Sequence, residues 1–208
     1  MQTTNYKLTE LFVLFVLIPI SFVLEYSPIL KLIIGVSGFA YILYVILKVE
    51  KIQFKIKKDI HWKNFWKTTL FKSIIIAVFT TIFVWFTDTE NLFEIVLNKP
   101  FKWMIFLFIY AFFSVYPQEV LFRTFFFKRY ENLFKNERFF IFINAVLFSL
   151  AHLFFQNTVV IVITFIGGIL FAITYKKTKS TFLVSVEHAI YGCWLFTVGM
   201  GEMLGFPS

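Results

Sequence analysis

The chain reads as an all-α, polytopic transmembrane helical bundle with about seven spans. Three observations carry this. The chain has 208 residues, of which 59% are hydrophobic and only 15% charged, with 32 Phe. A soluble domain of that size needs a charged surface that this composition does not supply. The apolar residues fall in long runs of roughly spanning length, and the polar segments between them alternate in charge sign.

Taken in order, the first run covers residues 8–25, with Pro19 near its outer end. The stretch before it has one lysine, one glutamate and no clear small-residue cleavage site after the run, so it is expected to be a retained span. The second covers 29–47, where Gly35 and Gly38 offer a small-residue face. Residues 48–67 carry seven lysines among Phe54, Trp62, Phe65 and Trp66 and predict a basic cytoplasmic loop or surface-lying helix. His61 lies among these solvated residues and is not expected in a site. The third run covers 68–86, followed by an acidic loop at 87–100. The fourth, 101–127, exceeds the length needed to cross, and Pro117 supplies a place for a kink. Polar residues 128–138 predict a loop before the fifth run, 139–155. The sixth, 158–175, holds Gly167 and Gly168, a basic loop occupies 176–180, and the seventh run covers 182–200. No internal repeat or soluble domain interrupts this pattern, which predicts a single integral membrane domain over 1–208.

The net charge of +8 does not argue for nucleic acid, because the positive charge lies in short loops that favour an anionic cytoplasmic membrane face. The alternation places the N-terminus in the cytoplasm and the C-terminus outside, in a plasma (inner) membrane and in contact with lipid. The single cysteine, Cys193, excludes an intramolecular disulfide and sits in an apolar run.

Polar side chains at membrane depth are costly and face bundle interiors or hydrated cavities. Here they are Gln118, Glu119 and Arg123 in the fourth run, Asn144 and His152 in the fifth, and Glu187 and His188 in the seventh. Glu119 and Arg123, four residues apart, share a helix face, as a self-neutralising ion pair or as a base oriented by its partner. His152 on its own could cap a backbone carbonyl, and Glu187–His188 could be a packed polar pair. Together they argue for one shared polar site. HExxH is absent. A divalent metal held by Glu119, His152 and His188 is allowed, as is a metal-free site in which a carboxylate activates water. No metal or other cofactor is assigned. Neither Ser149 nor Cys193 sits in a recognisable nucleophile motif.

QEVLFR at 118–123, FSLAH at 148–152 and EHAIYG at 187–192 resemble, in order, the three motifs of the CAAX prenyl protease and bacteriocin-processing (Abi, type II CAAX protease) family, over a motif core at 105–200. The resemblance implies an integral membrane endopeptidase acting on a membrane-associated protein or peptide by glutamate-activated water. It implies catalytic roles for Glu119, Arg123, His152 and His188, with Phe148 and Glu187 in supporting motif positions. Two positions depart from the family pattern. Gln118 stands where the first glutamate of a pair is expected, and an amide cannot serve as a general base. Gly192 stands where an asparagine is expected, four residues after the histidine. Either Glu119 takes the water-activating role, or the site hydrolyses poorly, or it is a noncatalytic peptide-binding or immunity protein on the same fold. A small transporter is a further class, against which stands the absence of duplicated halves.

Overall fold

A computed structural model describes residues 3–52 and 61–205. Among the described residues the chain is all-α, with no strand, and seven helices are long and apolar enough to cross a membrane. They are α1 (Thr4–Ser21), α2 (Pro28–Val49), α3 (Trp62–Thr87), α4 (Pro100–Leu133), α5 (Glu137–Phe155), α6 (Thr158–Thr178) and α7 (Thr181–Val198). Each corresponds to a predicted run, with ends within four residues except that α3 starts six residues earlier and α4 ends six residues later, because hydropathy fixes what crosses the bilayer. The ends follow local chemistry. Pro28 and Pro100 open α2 and α4, where a missing N–H costs nothing. Asn136 and Asn157 cap α5 and α6 by accepting first-turn amides. Part of the expected basic segment at 48–67 lies outside the described residues, and its end from Trp62 is already α3.

The spans carry large apolar side chains on their exteriors, Phe86 81% and Phe113 72% exposed among them. In water such a surface would aggregate; here it is the lipid-facing surface of an integral membrane protein.

The chain divides into two compact units. The first holds residues 1–55 and 118–181, the second 56–117 and 182–208. In the first unit α5 and α6 form a hairpin whose tight point is Gly168. A Cβ there would stand 2.9 Å from the Ala145 Cα, so only glycine allows this approach. At Gly35 and Gly38 the nearest atoms, on Phe22 and Ile18, are at 3.8 and 3.9 Å, an ordinary contact. An aromatic core surrounds Phe15 of α1, which meets Phe122 and Phe126 edge-on at 5.3 and 5.2 Å.

The polar stretch 128–138 differs from a solvated loop. Helix α4 continues through Leu133, and Arg129 and Tyr130 are buried. Arg129 Nε lies 2.7 Å from Glu10 Oε2, and its Nη1 donates to Glu50 Oε1 at 2.9 Å. The Tyr130 hydroxyl donates to Glu10 Oε2 at 3.0 Å. The start of α1, the end of α2 and the end of α4 thus meet around one guanidinium. Two carboxylates and two parallel donor sites are what a buried arginine fork needs.

In the second unit, α3, the first half of α4 and α7 are joined by side-chain hydrogen bonds. Trp103 Nε1 donates to Thr197 at 3.0 Å and Trp194 Nε1 to Thr80 at 2.9 Å. The three border a half-open, mostly apolar pocket of about 370 Å³ lined by Ala77, Leu107, Ile190 and Cys193 among others.

Candidate active site

The motif segment lies on an unusual part of α4. Tyr116–Glu119 is ordinary helix, but wide π-type turns precede it at Tyr110–Val115 and follow it at Val120–Phe125. Pro117 has no N–H to close the regular ladder, and a helix answers such a gap by kinking or by widening its turns. Pro117, the expected place for a kink, thus lies between two widened turns, the second of which carries Arg123.

Glu119 and Arg123 are both fully buried in the first unit. Arg123 Nε lies 3.2 Å from Glu119 Oε2. Its Nη1 donates to Asn144 Oδ1 of α5, and Nη2 reaches the Gly168 carbonyl of α6 at 3.4 Å. Asn144 Nδ2 returns a bond to the Phe122 carbonyl at 2.9 Å, which fixes the amide orientation. The guanidinium also lies over the Phe148 ring, 4.9 Å from its centroid, and 5.9 Å from that of Phe171. A single planar cation thus ties three helices to one carboxylate. Lysine, a point charge on a flexible stem, cannot repeat this.

His152 stands at the end of α5, where helix carbonyls lack intrahelical partners. Its Nδ1 lies 2.7 Å from the Phe148 carbonyl oxygen. A carbonyl only accepts, so Nδ1 carries the hydrogen; Nε2 is then an acceptor in the neutral ring and a second donor in the doubly protonated one. The carbonyl-capping role is therefore real, and it also sets the tautomer. The FSLAH spacing gains a physical reason: the Phe148 ring supports Arg123 while its carbonyl, one turn before His152, orients the imidazole. Glu119, Arg123, Phe148 and His152 form one connected chain within the first unit. Gln118, beside them in sequence, is half-buried.

Glu187, His188 and Gly192 lie on α7 in the second unit. Glu187 is fully buried, and its Oε1 accepts from Lys72 Nζ of α3 and from the Tyr191 hydroxyl, both at 2.8 Å. Tyr191 also approaches the Thr69 carbonyl at 3.3 Å. His188 is buried, with the Tyr110 ring edge-on at a centroid distance of 6.1 Å. Sequence reasoning passed over Lys72 and Tyr110. A lysine inside an apolar run was the available signal for the first; the second is one aromatic among many.

Among the described residues, no three His, Cys, Asp or Glu side chains are grouped so as to hold a metal ion. No curated protein and no solved structure matches the chain. The model of the family described as type II CAAX prenyl endopeptidase Rce1-like does match, and residues 100–194, which contain all three motifs, carry this CAAX protease family domain.

Proposed function

We propose that the protein is an intramembrane endopeptidase that hydrolyses a peptide bond of a membrane-associated protein or peptide. The observation that carries this reading is a fully buried carboxylate, Glu119, held by an arginine that is itself held from three helices. A charge stationed so deeply is costly, and a fixed, oriented carboxylate is what general-base activation of water requires. Glu119 takes a proton from water as its oxygen attacks the scissile carbonyl carbon. His152 stabilises the tetrahedral oxyanion. Collapse breaks the C–N bond, and Glu119 returns the proton to the leaving amine. His152 meets this role in its doubly protonated form, because its Nδ1 hydrogen already serves Phe148. Arg123 positions Glu119. The apolar pocket of the second unit suits a substrate bearing an apolar segment or lipid tail.

The test is cleavage of a farnesylated, internally quenched C-terminal peptide in proteoliposomes. Glu119→Gln should lower turnover by about 10²–10⁴-fold, the usual worth of a general base, with the fold retained. Gln118→Glu, which restores a second carboxylate, should raise it. Equal cleavage by wild type and Glu119→Gln would defeat the mechanism. A second reading, a noncatalytic peptide binder, is favoured by the amide at Gln118. It predicts no cleavage by wild type, unchanged peptide affinity in Glu119→Gln, and turnover only in Gln118→Glu.

A further inference from the structure

The pocket of the second unit is apolar although Ser, Thr, Tyr and Trp side chains line it. The hydrogens of those side chains are donated within the protein. Beside the two tryptophan bonds to Thr197 and Thr80, the Ser73 hydroxyl donates to the Thr69 carbonyl at 3.0 Å and the Thr197 hydroxyl to the Cys193 carbonyl at 2.8 Å. The Tyr191 hydroxyl donates to Glu187. A buried water needs about two to four polar partners, and this wall has no N–H or O–H left to give one. Ile74 both lines the pocket and is 63% exposed, so the open side is continuous with the lipid-facing surface. What meets that opening is hydrocarbon, and an unfilled wall would forfeit its dispersion contacts. At about 370 Å³ the pocket has room for a length of one chain, not for a whole lipid.

Its long direction is set by the helices. The Trp103–Thr197 bond stands near one membrane face, three residues from the start of α4 and one from the end of α7. Tyr191 lies seven residues from that end of α7, about 10 Å deeper. At the shallow end stands a cation. Lys99, Trp103 and Leu107 follow one another at single-turn spacing on the first part of α4, and the Trp103 amide donates to the Lys99 carbonyl at 2.9 Å. The Lys99 side chain is 43% exposed, and its Nζ is 3.6 Å from Glu94 Oε1, an ion pair too long to be a hydrogen bond. An ammonium carries three hydrogens, so Lys99 can serve an anion beside Glu94. The start of α4 adds the positive end of a helix dipole.

We propose that the pocket and Lys99 form a binding site for one glycerophospholipid of the bilayer. An acyl chain fills the pocket, and the lipid phosphate accepts a charge-assisted hydrogen bond from Lys99. The stripe Lys99–Trp103–Leu107 presents cation and apolar wall in the order in which a lipid presents phosphate and chain, from the membrane surface inward. The inference goes beyond the peptidase reading and does not rest on it. A lipid-tailed substrate that used the pocket would have to displace this lipid.

The test uses the full-length protein in dodecyl maltoside micelles with a trace of phosphatidylcholine that carries a diazirine in the middle of one acyl chain. After illumination, adducts are located by mass spectrometry of peptides. Adducts on Leu107 and Ile190, in the pocket, should exceed those on the lipid-facing Phe112 and Phe113 by about fivefold, the worth of one lysine–phosphate contact at a membrane surface. An excess of unlabelled phosphatidylcholine should remove the difference. Lys99→Gln should lower the pocket adducts by about fivefold. Ala77→Phe should abolish them by filling the space, and Cys193→Leu, a milder intrusion, should reduce them. Val78→Phe, at an exposed neighbour outside the pocket, should leave them unchanged. Even labelling of pocket and exterior would overturn the site, as would pocket labelling that survives both Ala77→Phe and Cys193→Leu. Pocket labelling that a farnesylated peptide displaces and Lys99→Gln leaves unchanged would overturn the phospholipid assignment, because it marks a place for a tail without a phosphate.

Discussion

Replacing Arg123 with lysine keeps the charge and removes the geometry. In the native site the Nε edge of the guanidinium serves Glu119 at 3.2 Å, while its two terminal nitrogens serve Asn144 and the Gly168 carbonyl. A lysine ammonium can approach Glu119 or the α5–α6 side, not both. The largest loss is the charged donor to buried Asn144, worth about 1.5–3 kcal/mol. The Gly168 contact is long at 3.4 Å and contributes less, on the order of 0.5 kcal/mol. Stacking over Phe148 and Phe171 adds roughly another 0.5 kcal/mol, since a lysine retains part of any cation–π attraction. The expected cost of Arg123→Lys is about 2–4 kcal/mol. Arg123→Met should cost about 3–5 kcal/mol, because it leaves Glu119 buried without its counter-ion, and Glu119→Gln/Arg123→Met should recover much of that loss. The measurement is reversible unfolding in mixed micelles, titrated with SDS and followed by circular dichroism. Arg123→Lys within about 0.5 kcal/mol of wild type would refute the claim that fork geometry, beyond charge, holds this site.

Gly168→Leu should cost at least about 1–3 kcal/mol in the same assay, since its Cβ would stand 2.9 Å from Ala145, and Ala145→Gly should relieve only part of it. Lys72→Met should destabilise the protein by removing the 2.8 Å ion pair to buried Glu187, with recovery in Lys72→Met/Glu187→Gln; no recovery would show that the two are not coupled. Topology is checked in a Cys193→Ala background with an impermeant maleimide. Lys177→Cys should label only from the cytoplasmic side and Glu90→Cys only from outside, and the reverse pattern would invert the proposed orientation.

Hydropathy made the seven spans legible, because crossing a bilayer demands about 20 apolar residues whatever the tertiary structure. The Glu119–Arg123 pair was legible for a similar reason: it is local, set by one turn of helix. The function of Phe148 was hidden, since its ring and its carbonyl act on different partners. Arg129 was hidden more completely. It sits in a string of charged residues that resembles a loop, and its partners, Glu10 and Glu50, lie 119 and 79 residues away in sequence. Long-range pairing leaves no periodic mark. Glycine at 192 reads as an absence in a linear sequence, while in three dimensions it records the presence of Tyr110, whose ring a Cβ there would strike.

The Arg129 node bears on how the protein is made. Glu10 enters the membrane with the first helix, and its cation is synthesised 119 residues later. At ordinary elongation rates the interval is on the order of 6–24 s. Throughout it Glu10 has the Tyr41 hydroxyl of α2 as a donor, and the charge that remains on Glu10 and Glu50 must be met by water, headgroups or insertion machinery, since hydrocarbon cannot hold it cheaply. When α4 arrives, one arginine gathers both. A nascent chain halted before residue 129 therefore lacks the one cation that both carboxylates share.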